Sequence, residues 1–139
     1  MSIYKQFKTN KTAEEEGILV KFKANDDGTI PAFKIGRTSQ SNVKWLKTFE
    51  AMTRPYKKDI AAKALSEEEA HNLNIKIFVM AILQGWENVQ DENGKLLPYN
   101  NENAIKLLKD FPELYNTLSD ESSKMENFLE SNLKEDEKN

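Results

Sequence analysis

His71 is the sole histidine of a chain without cysteine, and the carboxylates Glu67, Glu68 and Glu69 stand just before it. An imidazole beside acids is the raw material of a proton-transfer or metal site. Here the acids fall in the first turn of a helix opened by Ser66, where negative charge is favoured by the exposed amides. His71 therefore reads as a helix-flank residue, and disulfides and thiolate metal sites are excluded. Two acidic turns, Asp26-Asp27-Gly28 and Asp91-Glu92-Asn93-Gly94, invite a calcium reading. Counting back from either glycine to the first ligand position of an EF-hand loop lands on Lys23 or Val89, neither of them a carboxylate. The glycine patterns that cradle phosphate do not occur, and no serine stands in a G-x-S-x-G setting. The expectation is a protein that is not an enzyme and holds no cofactor or metal.

Charge offers more. From Lys34 to Lys63 there are eight basic residues (Lys34, Arg37, Lys44, Lys47, Arg54, Lys57, Lys58, Lys63) against Glu50 and Asp59. Such a stretch can meet phosphates. The net charge of -3 and pI near 5.3 favour a solvated helix face instead, since they give no global attraction to nucleic acid or anionic lipid. From Asp120 to Asn139 seven acids face three lysines. A positive face and a negative tail in one chain fit contact between copies, contact with a partner of mixed charge, or pairing within the molecule.

The elements that position these residues follow from periodicity and turn chemistry. With 139 residues, 38% of them hydrophobic, the chain fits one domain. No signal peptide or spanning segment is visible, because the apolar run from Ile77 to Leu83 is too short to cross a bilayer. Residues 1–17 read as a flexible arm with room for a short helix. Residues 18–36 read as a β-hairpin: Ile18, Val20 and Phe22 alternate with Leu19, Lys21 and Lys23, Gly28 closes the turn, and Phe33 and Ile35 share a face on the return. Such a hairpin needs helices, or strands of another copy, to cover it.

Four helices are predicted. The first, at about 42–64, starts from Ser41 or Asn42 and places Trp45, Phe49, Met52, Tyr56 and Ile60 on one side with Lys44, Lys47, Arg54 and Lys58 opposite; Pro55 predicts a kink. The second, at 66–86, begins with the Ser66–Glu69 capping box and ends near Gly85. The third and fourth, at 101–109 and 112–132, are separated by Asp110-Phe111-Pro112. The fold class is α+β, mainly α, with the N-terminal hairpin packed on a bundle of about four helices in a single domain, 18–133. Residues 134–139 read as a disordered acidic tail.

The succession of FKIGR, then SNVKWLKTFEAMTRPYKKDI, then AILQGWENVQDENGKLLPYNNENAIKLLKDFPELYNTL resembles the tail assembly chaperones encoded in tail gene clusters of long-tailed phages. The likeness runs from about Ile18 to Phe128. Its most specific part is Leu83 to Val89 with Gly94, Pro98, Tyr99, Asn103, Ala104, Leu107 and Leu108, supported by Arg54-Pro55-Tyr56. Gly36 departs from it, standing where a second basic residue beside Arg37 is expected. The resemblance implies a non-enzymatic factor of the host cytoplasm that binds the tape measure protein, keeps it soluble and recruits major tail protein. An apolar groove between helices would receive amphipathic helices, with Trp86, Tyr99 and Tyr56 near it and Lys47, Arg54 and Lys58 at its charged rim. Self-association is allowed, and neither a membrane nor nucleic acid is an expected partner. The alternatives are a structural tail or neck protein of the virion, and a small nucleic-acid-binding regulator using the basic helix 43–63. Trp86 has packing as its default role, and burial of Trp86 and Tyr99 together in one sealed core would make their corner purely architectural.

Overall fold

The structure, a computed structural model, describes residues 1–133. The acidic tail expected at 134–139 lies outside the described residues. In chain order the elements are α1 (Ile3–Gln6), α2 (Lys11–Glu16), β1 (Ile18–Lys21), β2 (Ala32–Ile35), α3 (Val43–Thr53), α4 (Lys57–Ala61), α5 (Glu67–Ala81), β3 (Leu83–Glu87), α6 (Asn101–Asp110) and α7 (Pro112–Ser123), with 3-10 turns at Arg54–Tyr56 and Met125–Phe128. The fold is α+β and mainly α.

Short polar side chains start the helices by taking up amides that have no partner inside the helix. Asn10, Asn42, Ser66 and Asn100 accept from the amides of Ala13, Trp45, Glu69 and Asn103. Pro55 does not end the basic helix; the backbone passes through the 3-10 turn Arg54–Tyr56 and continues as α4, so α3 and α4 form one bent arm.

The sheet is antiparallel, three-stranded and ordered β1-β2-β3, not a two-stranded hairpin. Its third strand comes from the stretch assigned by sequence to the end of the central helix. An unbroken apolar run satisfies a buried helix and a buried strand equally, and here it serves both in turn: Ile77, Phe78, Val79 and Ala81 are buried on α5, and Leu83 opens β3. Gln84 makes the switch. Its amide nitrogen donates to the carbonyls of Ala81 and Ile82 at 3.2 and 3.1 Å, and it is the extra residue of a bulge, since Ile35 pairs with Leu83 while Lys34 pairs with Gly85. Gly85 lies within the strand, not at a helix end.

The core gathers Phe33 and Ile35 of β2, Ile75, Phe78, Val79 and Ala81 of α5, Ala104 and Leu108 of α6, and Leu118 of α7. Residues 1–17, expected as a flexible arm outside the domain, hold two helices and are docked from Lys8 onward. The Asn10 amide donates to the Phe128 carbonyl at 2.8 Å, the Glu130 amide donates to Lys8 at 2.9 Å, and Thr9 bridges Leu129. The last helix, expected at 112–132, is interrupted: α7 stops at Ser123, Lys124 takes extended backbone before the 3-10 turn, and helical backbone resumes at residues 130–133.

Candidate functional site

The six residues singled out by sequence fall in two places. Trp86 and Tyr99 meet at the sheet corner, and Lys47, Arg54, Tyr56 and Lys58 lie along the α3–α4 arm.

At the corner the antiparallel register sets Trp86 opposite Phe33 and Phe33 opposite Val20. A chain of edge-to-face aromatic contacts follows: Phe22 to Phe33 at 5.6 Å, Phe33 to Trp86 at 5.8 Å, and Trp86 to Tyr99 at 5.0 Å between ring centres. Both polar tips are spoken for. The Trp86 indole N–H donates to the Leu97 carbonyl at 2.9 Å, and the Tyr99 hydroxyl donates to the Leu83 carbonyl at 3.1 Å. Burial pushes the Tyr99 phenol above its ordinary range. The corner is not a sealed core, because Trp86 is half-buried and Tyr99 is 37% exposed. It is nonetheless built as a packing device, with each ring fixed by a neighbour and a hydrogen bond.

The residues carrying the specific likeness serve the same corner. Gly94 closes its turn with φ +80°, the Asn103 amide donates to the Pro98 carbonyl at 2.9 Å, and Asn88, also left-handed, donates to the Ile30 carbonyl. The two acidic turns are stitched to each other through these groups. Asp27 accepts from the Thr29 hydroxyl, the Thr29 amide and the Gln90 side chain, and those bonds, the Thr29 hydroxyl first, hold its carboxyl below the usual range. Among the described residues no group of three or more His, Asp or Glu is placed to hold a metal ion. His71 packs edge-on against Tyr115 at 5.5 Å.

On the arm, no residue of α3 or α4 is fully buried. Phe49, Tyr56 and Ile60 are 38, 37 and 47% exposed, although Phe49 and Tyr56 border residues of α5. Trp45 stacks on Phe49 at 5.3 Å. Beyond that pair Met52 and Tyr56 of the arm and Leu73 and Lys76 of α5 line an open cleft of about 400 Å³. Lys47, Arg54 and Lys58 are exposed along the arm, and among the described residues none of them forms an ion pair. Elsewhere in the basic stretch Arg37 does pair within the molecule, with Glu14 at 3.1 Å. The residues that line the cleft with Tyr56 are Met52, Glu69, Asn72, Leu73 and Lys76.

A third cluster has no counterpart in the sequence reading. Glu14 of α2 is fully buried and accepts from the Thr9 hydroxyl at 2.7 Å, from the Arg37 guanidinium at 3.1 Å and from the Ser41 hydroxyl, with Lys11 at 3.3 Å. Burial alone raises the carboxyl's pKa, but the bonds from Ser41, Thr9, Arg37 and Lys11 together outweigh it and the pKa lies below the ordinary value. The buried Asn42 amide donates at 2.9 Å to the carbonyls of both Glu14 and Arg37, tying α2 to the start of α3. Gly36 explains its own departure from the likeness: a Cβ there would stand 2.6 Å from the Glu14 carbonyl oxygen. Gly36→Ala is expected to lose about 2 kcal/mol of stability through that overlap, read as a lower urea midpoint at unchanged slope.

Among the described residues no helix is long and apolar enough to cross a membrane. No curated protein and no solved structure matches the chain. A family model described as YdaY prophage protein matches residues 40–139, from the α3 N-cap region through α7 and beyond, and on that match the chain belongs to the YdaY prophage protein family.

Proposed function

We propose that this prophage-family protein is a non-enzymatic tail assembly chaperone that binds the tape measure protein and recruits major tail protein. The supporting observation is the α3–α4 arm: a bent rod without one fully buried residue, whose Phe49, Tyr56 and Ile60 are partly exposed and whose Met52 and Tyr56 line a cleft shared with α5. A rod leaning on a neighbouring helix with its apolar side incompletely covered is a receptor for a third helix. The assignment to tail assembly rests on the sequence resemblance, and phage ancestry on the family match.

Co-expression with the tape measure protein of the same prophage tests the reading. The chaperone is expected to keep that protein soluble, to co-purify with it, and to be missing from finished particles. Tyr56→Ala with Ile60→Ala should cut the co-purified amount about tenfold, about 1.4 kcal/mol of binding, while leaving the protein folded, since both side chains are more than a third exposed. A fixed amount of the protein in purified virions would overturn the reading in favour of a structural tail or neck component. Tape measure protein that stays equally soluble without the chaperone would overturn it as well.

A further inference from the structure

Two surfaces that the chaperone reading leaves unused are complementary to each other. On the arm, Val43 and Lys47 of α3, Arg54 of the 3-10 turn, and Lys58 and Ala61 of α4 are all exposed and make up a basic stripe. Glu50 borders the stripe, Lys57 lies beside it, and Val43 at its head is 48% exposed. The cations have no acidic partner among the described residues.

At the other surface the loop after β3 and helix α6 enclose a cleft of about 410 Å³. Its floor is Leu97, Leu107 and Phe111, the last 57% exposed. Its rim is Asp91, Glu92 and Asp110, with Lys106 held against Asp110 at 2.9 Å. The lining therefore carries three carboxylates to one ammonium around an apolar floor. That is the inverse of the stripe, which offers three cations on long aliphatic stems beside an exposed valine.

We infer that the occupant of this cleft is the α3–α4 stripe of a second copy of the chain. The two surfaces are different patches, so the contact is heterologous: each copy offers a stripe to one neighbour and a cleft to another, and the result is a chain or ring of subunits rather than an isolated pair. Exposed charges supply much of the attraction, so the association weakens as salt rises.

The test is sedimentation velocity over a concentration series at low and at high salt. The wild type is expected to show a mass that grows with concentration at 50 mM salt and shrinks toward the monomer at 500 mM. The charge-reversed stripe (Lys47→Glu, Arg54→Glu, Lys58→Glu) and the charge-reversed cleft (Glu92→Lys, Asp110→Lys) should each be monomeric at low salt. All five positions are exposed, so both variants keep the fold, checked by circular dichroism. Mixing the two should restore an association that again grows with concentration, with the variants alternating, because the acidic stripe of one fits the basic cleft of the other while the unaltered basic stripe of the second fits the unaltered acidic cleft of the first. A wild type that stays monomeric at low salt and millimolar concentration overturns the inference. So does a mixture that fails to associate, or an associating wild type that only one of the two variants disrupts. None of these readouts involves a tape measure protein, so they stand apart from the chaperone test.

Discussion

Glu14→Ala is expected to lower the unfolding free energy by roughly 3 kcal/mol, because it strips the Arg37 guanidinium of its carboxylate partner in a site closed to water. The Arg37 side chain is only 16% exposed, and its Nε is already buried without a hydrogen-bond partner. The loss extends beyond one pair, since the Glu14 carboxylate also accepts from Thr9 and Ser41. Glu14→Gln keeps the shape and should cost less than alanine. Acidity supplies the signature. The folded pKa lies below the ordinary value of 4.5, so the carboxylate's contribution is complete above that value and fades as pH falls through the folded pKa. The gap between wild type and Glu14→Gln in urea unfolding should accordingly be full at pH 7 and nearly closed at strongly acidic pH. A gap that is the same at both ends of the titration would show that the charge of Glu14 contributes nothing.

Trp86→Ala is expected to cost about 3–5 kcal/mol, as for large aromatic truncations in a packed setting, and to do so as a stability defect. The indole stands between Phe33 and Tyr99 and is the middle of the aromatic chain that starts at Phe22, so its removal leaves both neighbours facing a void. Trp86→Phe keeps most of the packing and gives up the bond to the Leu97 carbonyl, a loss of about 1 kcal/mol. Tryptophan and tyrosine should also couple: in a double-mutant cycle with Tyr99→Ala the interaction energy should be of order 1 kcal/mol. Additive effects would mean that the 5.0 Å ring contact contributes no energy. A Trp86→Ala protein with unaltered stability and weakened tape measure binding would restore Trp86 to the partner groove.

Much of the local structure is legible in the sequence because it is set by local rules. Asn42, Ser66 and Asn100 cap helices where short polar residues precede apolar periodicity, and Gly28 and Gly94 turn the backbone with positive φ where turn chemistry calls for them. The third strand is hidden because continuous apolar sequence has no period of its own; β3 exists through its pairing with β2, some fifty positions earlier in the chain. The Glu14 cluster is hidden for a related reason. Glu14, Glu15 and Glu16 are the same residue in a row, and only a tertiary partner, Arg37 over Gly36, decides that one of them is buried while its neighbours face solvent. The candidate site is half legible. Residue type locates the aromatic corner and the basic stripe, but the relative placement of two helix faces requires the packing of α3 on α5.

The pairing of residues 8–10 with 128–130 has a consequence for the order of events on the ribosome. Residues 8–10 emerge well over a hundred residues before their partners, and β2 emerges some fifty positions before β3. Loop closure over such spans is slow compared with helix formation, so the helices and the β1–β2 hairpin precede the closing of the domain. Until residue 87 has been made, one edge of β2 remains open, carrying Phe33 and Ile35 toward a core not yet assembled. The nascent chain is therefore most exposed to sticking before β3 has been made, and the contact of residues 8–10 with residues 128–130 is among the last to form.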